Sequence, residues 1–180
     1  MSKMVILDSN GVINHLQPED ATTVEAWDPI SGSIEAINRL KKAGYLVAIA
    51  ANHSGIARGY YSEQDLQQMH QKMQRMLSIR GASVDAILYC PHGPEANCIC
   101  RKPKPGLLFQ IARQFGIDLS TTRMVGDSIG DIQAARMAMA MPALVRTGNG
   151  EYTMQTFPEA LDVPVYDDLA HFVRDTLRNR

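Results

Sequence analysis

Short apolar runs alternate with helix-period stretches along this chain, and that alternation limits the possible fold more than any other feature. Met4 to Leu7 is an apolar run that stops at Asp8. Ser31 to Ala43 follows as a helix, with Ile34, Ile37 and Leu40 on one face and Gly44 as its stop. Tyr45 to Ala51 is a second strand-like run. Ser62 to Arg80 reads as a longer helix, opened by the cap-like Ser62-Glu63-Gln64-Asp65. On it Leu66, Met69, Met73, Met76 and Leu77 form a stripe that core packing explains better than ligand binding. Ala86 to Tyr89, Arg123 to Val125, Ala143 to Arg146 and Val163 to Tyr166 read as further strands. Gly106 to Phe115, Ile129 to Ala140 and Asp168 to Leu177 read as helices. Strands separated by helices pair in parallel and need helices on both faces. The expected fold is therefore α/β: a three-layer α/β/α sandwich around a parallel, Rossmann-like sheet.

With 180 residues and no internal repeat or linker, the chain is expected to form one domain spanning residues 1–180. The two long irregular segments, His15 to Asp28 and Tyr89 to Lys104, are where function is expected to gather. A formal net charge of -1 gives no basis for a nucleic-acid surface. No apolar run is long enough to cross a membrane, and Met1 to Leu7 leads straight into a strand with no leader-like pattern. The expectation is a soluble, cytoplasmic protein. No long unpaired apolar stripe is visible, which points to a monomer.

All three cysteines lie between positions 90 and 100, an odd number that argues against a disulfide framework. Cys90, His92, Cys98 and Cys100 form two ligand pairs, with Gly93 and Pro94 suited to the turn between them. Two thiolate pairs with one imidazole replacing a thiol fill a tetrahedral Zn²⁺ shell and leave no position for water. The reading is a structural Zn²⁺; the alternative is a plain cluster of reduced cysteines. Because Cys100 directly precedes Arg101 and Lys102, the ion is expected to aim those cations.

Four polar clusters follow strands, which is where open α/β sheets carry chemistry. Asp8-Ser9-Asn10-Gly11-Val12-Ile13-Asn14 offers a nucleophile or metal ligand in Asp8, or simply a turn. Ala51-Asn52-His53-Ser54-Gly55-Ile56-Ala57-Arg58-Gly59 offers small residues and amides for a phosphate, or an ordinary strand-to-helix loop. Arg101-Lys102-Pro103 offers two cations on a backbone held extended by the proline, or a solvated charge pair. Val125-Gly126-Asp127-Ser128-Ile129-Gly130-Asp131 offers two carboxylates for a cation, or a helix cap at Asp127 or Ser128. Each cluster is weak alone; their order along the chain is not.

In these four clusters, with Cys90-Pro91-His92, Cys98-x-Cys100-Arg101-Lys102-Pro103 and Gln133-Ala134-Ala135, the chain resembles the haloacid-dehalogenase-like (HAD) phosphatase superfamily. Within it the chain is similar to the D-glycero-D-manno-heptose 1,7-bisphosphate 7-phosphatase family, over nearly its whole length. The resemblance implies a HAD-like fold with a minimal cap made of loops, and a small-molecule sugar phosphate as partner. It implies an Mg²⁺-dependent aspartyl-phosphate mechanism in nucleotide-heptose synthesis for bacterial surface glycans such as lipopolysaccharide. Asp8 would be the nucleophile. Asp8, the Asn10 carbonyl and Asp127 would hold Mg²⁺, with Asp131 orienting that shell. Asn52, His53, Ser54, Arg101 and Ser128 would contact phosphate or substrate, and Lys102 would neutralise the phosphoryl charge. Histidinol-phosphate phosphatase, whose relatives carry a similar zinc loop, is the alternative enzyme reading. A relative that only binds sugar phosphate or a partner protein is the non-catalytic one.

The chain departs from that pattern in three places. Asn10 stands where the family has an aspartate that protonates the leaving alkoxide and then activates water, and an amide does neither. Ala51 replaces a threonine or serine that donates to the phosphoryl group. His15, Leu16, Gln17 and Pro18 do not match the family's sugar-contacting residues. Asn10 alone would fit a change made to trap substrate; Ala51 and the altered loop favour a divergent relative. His53, at a position the family fills with glutamine, is a candidate substitute for the acid–base function.

Overall fold

The computed structural model describes residues 3–16 and 23–178. Strands β1 (Met4–Leu7), β2 (Leu46–Asn52), β3 (Ala86–Cys90), β4 (Arg123–Gly126), β5 (Met141–Val145) and β6 (Val165–Tyr166) form one sheet, ordered β3-β2-β1-β4-β5-β6. Every pairing is parallel. The helices are α1 (Ser33–Lys42), α2 (Glu63–Ile79), α3 (Gly106–Phe115), α4 (Ile129–Met137), α5 (Gly150–Thr156) and α6 (Leu169–Arg178). The expected three-layer α/β architecture is therefore present.

Each central strand is buried on both faces, which is why it reads as a short continuous apolar run. Val5, Leu7, Val47, Ile49, Val125 and Val145 pack with α1, α2 and α6 through Ile37, Leu40, Leu66, Met69, Met73 and Phe172. Met4, Ile6, Ala48, Ala50 and Met124 point the other way, into Leu107, Leu108 and Ile111 of α3 and Ala135 of α4. The Met stripe of α2 is core, as expected, and its Ser62–Asp65 signal is a complete capping box.

Two expectations need correction. The helix expected to reach Ala140 ends at Met137, because Met139 takes a left-handed backbone (φ 57°) that turns the chain into β5. Helix α5 was not expected. Asn149 sits at its N-cap position but makes no side-chain cap bond, so the usual start signal is missing. The mismatched loop residues Gln17 and Pro18 lie outside the described residues.

The chain builds β1, β2 and β3 in one direction and then crosses back to place β4 on the other side of β1. The carboxyl ends of β1 and β4 thus meet where the strand order reverses, the usual crevice for a ligand in such sheets. Asp8 and Asp127 directly follow those two strands.

Candidate active site

Asp8, Asp127 and Asp131 each place a carboxylate oxygen within 4.8 Å of the others'. Asp127 and Asp131 are buried, at 2% and 1% exposure. Between them lies Lys102, whose Nζ donates to Asp8 Oδ1 at 2.8 Å and to Asp131 Oδ1 at 2.5 Å. Burial alone would lower the Lys102 pKa, but the charges of Asp131 and Asp8 outweigh it and hold the ammonium well above its ordinary value. One cation does not balance three carboxylates. Burial pushes Asp8 up to about 6, with Lys102 pulling back. Burial, then the charges of Asp8 and Asp131, push Asp127 up to about 7. Crowded carboxylates with oxygen-only donors fit a hard divalent cation such as Mg²⁺.

Asp131 has its other oxygen engaged. Its Oδ2 accepts from Ser128 Oγ at 2.6 Å and from Ser128 N at 3.1 Å, closing a capping box at the start of α4. This suits an orienting role for Asp131. The Ser128 hydroxyl is part of that cap. Asn52 is engaged as well. Its Nδ2 donates to the Lys102 carbonyl at 3.0 Å, and its Oδ1 accepts from the Lys102 amide at 3.1 Å. Asn52 therefore holds the lysine backbone. The Lys102–Pro103 peptide, expected to be plain extended chain, is cis.

Asn10 is exposed, and its Oδ1 accepts from Nδ2 of the buried Asn14 at 2.8 Å. Ser9 Oγ donates to Asn14 Oδ1 at 2.9 Å, which fixes the amide orientation. His53 and Ser54 are buried, at 6% and 7% exposure, and line a cavity that also reaches Asn10. Burial first, then the charges of His70 and Lys102, lower the His53 pKa to about 3. His53 is thus neutral at physiological pH and has no imidazolium proton to give a leaving group.

The loop after β5 belongs to the site, and nothing in the sequence reading singled it out. Asn149 donates to Asp127 Oδ2 from its backbone at 2.7 Å and from its side chain at 3.2 Å. Thr147 Oγ1 donates to the Gly11 carbonyl at 2.6 Å, and Thr153 Oγ1 to the Asp127 carbonyl at 2.8 Å. Gly11 and Gly148 both have positive φ (81° and 62°), and a Cβ on either would strike Asp127 Oδ2. A Gly-Asn-Gly stretch after a strand is the only hint, and it says turn rather than site.

The cysteine cluster has metal-binding geometry. Cys90 Sγ lies 3.5 Å from His92 Nδ1 and 3.6 Å from Cys98 Sγ. Cys100 Sγ lies 3.3 Å from His92 Nδ1 and 3.5 Å from Cys98 Sγ. Tetrahedral Zn–S and Zn–N bonds give ligand separations of about 3.6–3.8 Å, so the four atoms already stand close to those places. Arg101 donates from Nη1 to the His92 carbonyl at 3.2 Å. Its guanidinium is folded onto this loop rather than onto the carboxylates.

A model of the HAD-hydrolase-like family matches residues 99–172. Over 168 residues the chain is 49% identical to D-glycero-beta-D-manno-heptose-1,7-bisphosphate 7-phosphatase of Pseudomonas aeruginosa, and the match covers 93% of each. The chain belongs to the heptose bisphosphate phosphatase family of HAD-like hydrolases. The Bordetella bronchiseptica member is 42% identical over 176 residues, 98% of each chain. The crystal structure of D,D-heptose 1,7-bisphosphate phosphatase from B. bronchiseptica, complexed with magnesium and phosphate, superposes with a TM-score of 0.95 over 99% of each chain. The enzyme from Burkholderia thailandensis gives 0.77 at 36% identity, covering 98% of this chain and 99% of that one.

Proposed function

We propose that the chain is a phosphomonoester hydrolase that removes the 7-phosphate of D-glycero-D-manno-heptose 1,7-bisphosphate, as one domain over residues 1–180. Lys102 carries this reading: a buried ammonium fixed between Asp8 and Asp131 at the switch point of the sheet. Phosphoryl transfer asks for alignment and charge neutralisation more than for elaborate covalent chemistry. Asp8 attacks phosphorus and carries the aspartyl-phosphate. Lys102 draws charge from the phosphoryl oxygens, and Asp131 with its Ser128 cap keeps Lys102 aimed. Asp8, Asp127 and the Asn10 carbonyl would hold Mg²⁺, which supplies charge neutralisation and alignment of the phosphoryl group. Asn149 orients Asp127 for that task.

The Cys90, His92, Cys98 and Cys100 shell would hold a structural Zn²⁺, and the loop it ties runs into Lys102. Among the described residues no helix is long and apolar enough to cross a membrane, and the likeness to heptose bisphosphate phosphatases supports a cytoplasmic place in lipopolysaccharide precursor synthesis. Phosphate release from heptose 1,7-bisphosphate with Mg²⁺, set beside histidinol phosphate, tests the reading. Release from the heptose ester, abolished by EDTA and by Asp8→Asn, is expected. Faster release from histidinol phosphate, or release that survives Asp8→Asn, would sink it. The Asn10 amide favours a second form of the same reading, a slow member of the family that binds sugar phosphate well and turns it over poorly.

A further inference from the structure

Asp127 turns one oxygen toward solvent and keeps the other in the protein, and the loop after β5 decides which. Both Asn149 donors, its backbone N–H at 2.7 Å and its Nδ2 at 3.2 Å, end on Oδ2. Gly11 and Gly148 flank the same oxygen so closely that a Cβ on either would strike it. Oδ1 accepts no hydrogen bond among the described residues. The partnerless side-chain atoms sealed from solvent are Asn38 Oδ1, His53 Nε2 and Thr176 Oγ1. Asp127 Oδ1 is not one of them, so it stays open to an ion. The other two expected ligands are restricted in the same sense. Asp8 Oδ1 is taken by Lys102 Nζ at 2.8 Å. The Gly11 N–H donates to the Asn14 carbonyl at 2.7 Å, and the planar trans peptide then points the Asn10 carbonyl the opposite way. Thr147 Oγ1 ties the β5 loop to this segment, donating to the Gly11 carbonyl at 2.6 Å. The oxygens left over are few, single and stiffly held. Mg²⁺ accepts such a shell, because it keeps a strict octahedron and fills it with water. Ca²⁺ is larger, takes about six to eight oxygens and often grips carboxylates by both.

We propose that Asn149, with Thr147 behind it, sets the metal specificity of the site: by occupying Asp127 Oδ2 it keeps that carboxylate a one-oxygen ligand and so favours Mg²⁺ over Ca²⁺. The proposal rests on the phosphatase reading above, in which Asp8, the Asn10 carbonyl and Asp127 hold the ion. Asn149 acts through Asp127 and is a positioning residue. Without its side chain, Oδ2 keeps only the backbone donor, and the carboxylate is freer to turn and offer a larger ion both oxygens.

Cation affinity is read from the rise in melting temperature as Mg²⁺ alone or Ca²⁺ alone is added to the zinc-loaded chain. The parent should bind Mg²⁺ more tightly than Ca²⁺, and Asp127→Asn should weaken both. Asn149→Ala should weaken Mg²⁺ by about tenfold, the low end for residues that orient a metal ligand, while Ca²⁺ binding holds or tightens. Thr147→Val, which frees the Gly11 carbonyl and loosens the loop, should shift the Mg²⁺-to-Ca²⁺ preference the same way. Thr147→Ser keeps the hydroxyl and should restore it. If Asn149→Ala does not fold, the two Thr147 variants carry the test. Equal losses for the two cations would mean a merely structural loop and would overturn the proposal, as would a parent that binds Ca²⁺ as tightly as Mg²⁺. Either result leaves the phosphatase reading standing. A folded parent whose melting temperature Mg²⁺ does not raise, or Mg²⁺ binding indifferent to Asp127→Asn, would overturn the two together.

Discussion

At the scale of single residues, one side-chain atom separates Asn10 from an aspartate. Asn10 Oδ1 already accepts a hydrogen bond from Asn14, and a carboxylate would accept the same bond in the same place. Asn10→Asp should therefore fold normally, and should raise kcat for phosphate release by about 10²–10⁴-fold, the usual worth of a placed acid–base group. Equal steady-state rates for the two proteins would show that position 10 does not limit turnover. The carboxylates make a second prediction, on pH. Asp8 and Asp127 titrate near 6 and 7 in the fold, above the ordinary 3.8 of an aspartate. The folded state thus holds protons that the unfolded chain has released. Without metal, that contribution to stability is complete at acid pH and is lost as pH rises through the two folded values. A divalent cation competes with those protons. The rise in melting temperature caused by Mg²⁺ should therefore grow between pH 5 and pH 8, and an increment independent of pH would contradict the site. Residue types and order alone marked Asp8, Lys102, Asp127 and Asp131. They did not mark the job of Asn52, because its partner is fifty positions away in the chain and only the β2–β3 edge brings them together.

At the scale of elements, the site depends on what happens at the ends of strands and helices. The start of α4 is the clearest case. Ser128 caps the helix and, through the same hydroxyl, holds Asp131 against Lys102. Ser128→Ala should cost about 1 kcal/mol, which in a domain of this size lowers the melting temperature by about 2–4 °C. It should also lower kcat, since Asp131 is freed to turn; a variant that melts early but turns over like the parent would show that the cap is only a cap. The other end of Lys102 is held by Asn52. Asn52→Ala removes both backbone bonds at once, and a loss of about 10–100-fold in kcat is expected, as for other residues that orient a working group, with a lower melting temperature from the two lost bonds. The elements themselves were mostly legible because the strands are buried on two faces and so stand out as apolar runs. The exceptions share a cause. The end of α4 and the start of α5 are set by Met139 in a left-handed turn and by Asn149 reaching Asp127, and neither choice is encoded in local pattern or propensity.

At the scale of the whole molecule, two metal-compatible clusters lie on one side of the switch point and at it, and the chain between them is short. The cysteine cluster closes on the β3 edge, and Lys102 follows Cys100 by two residues before reaching across to Asp8 at the centre. The carboxylate cluster, by contrast, draws on both halves of the sheet, with Asp8 from β1 and Asp127 from β4, and is closed by the loop that carries Gly148 and Asn149. That closeness is a property of the assembled fold: Gly11 and Gly148 are far apart in sequence and leave no room for a Cβ between them. The two proposed ions should therefore leave different marks on amide hydrogen exchange. Removing zinc should speed exchange across residues 90–106 and at Asn52, whose partner is Lys102, while β4 and β5 keep their protection. Adding Mg²⁺ should slow exchange at residues 8–14, 126–131 and 147–150 together, since one ion would tie segments from both halves, and should leave the cysteine loop unchanged. Local opening of this kind is read segment by segment in native-state exchange. If zinc removal exposes the whole sheet, the cysteine loop is a keystone of folding rather than a mount for Lys102. If it changes nothing at Asn52, the link from zinc to the active lysine is absent, and Asn52 alone positions it.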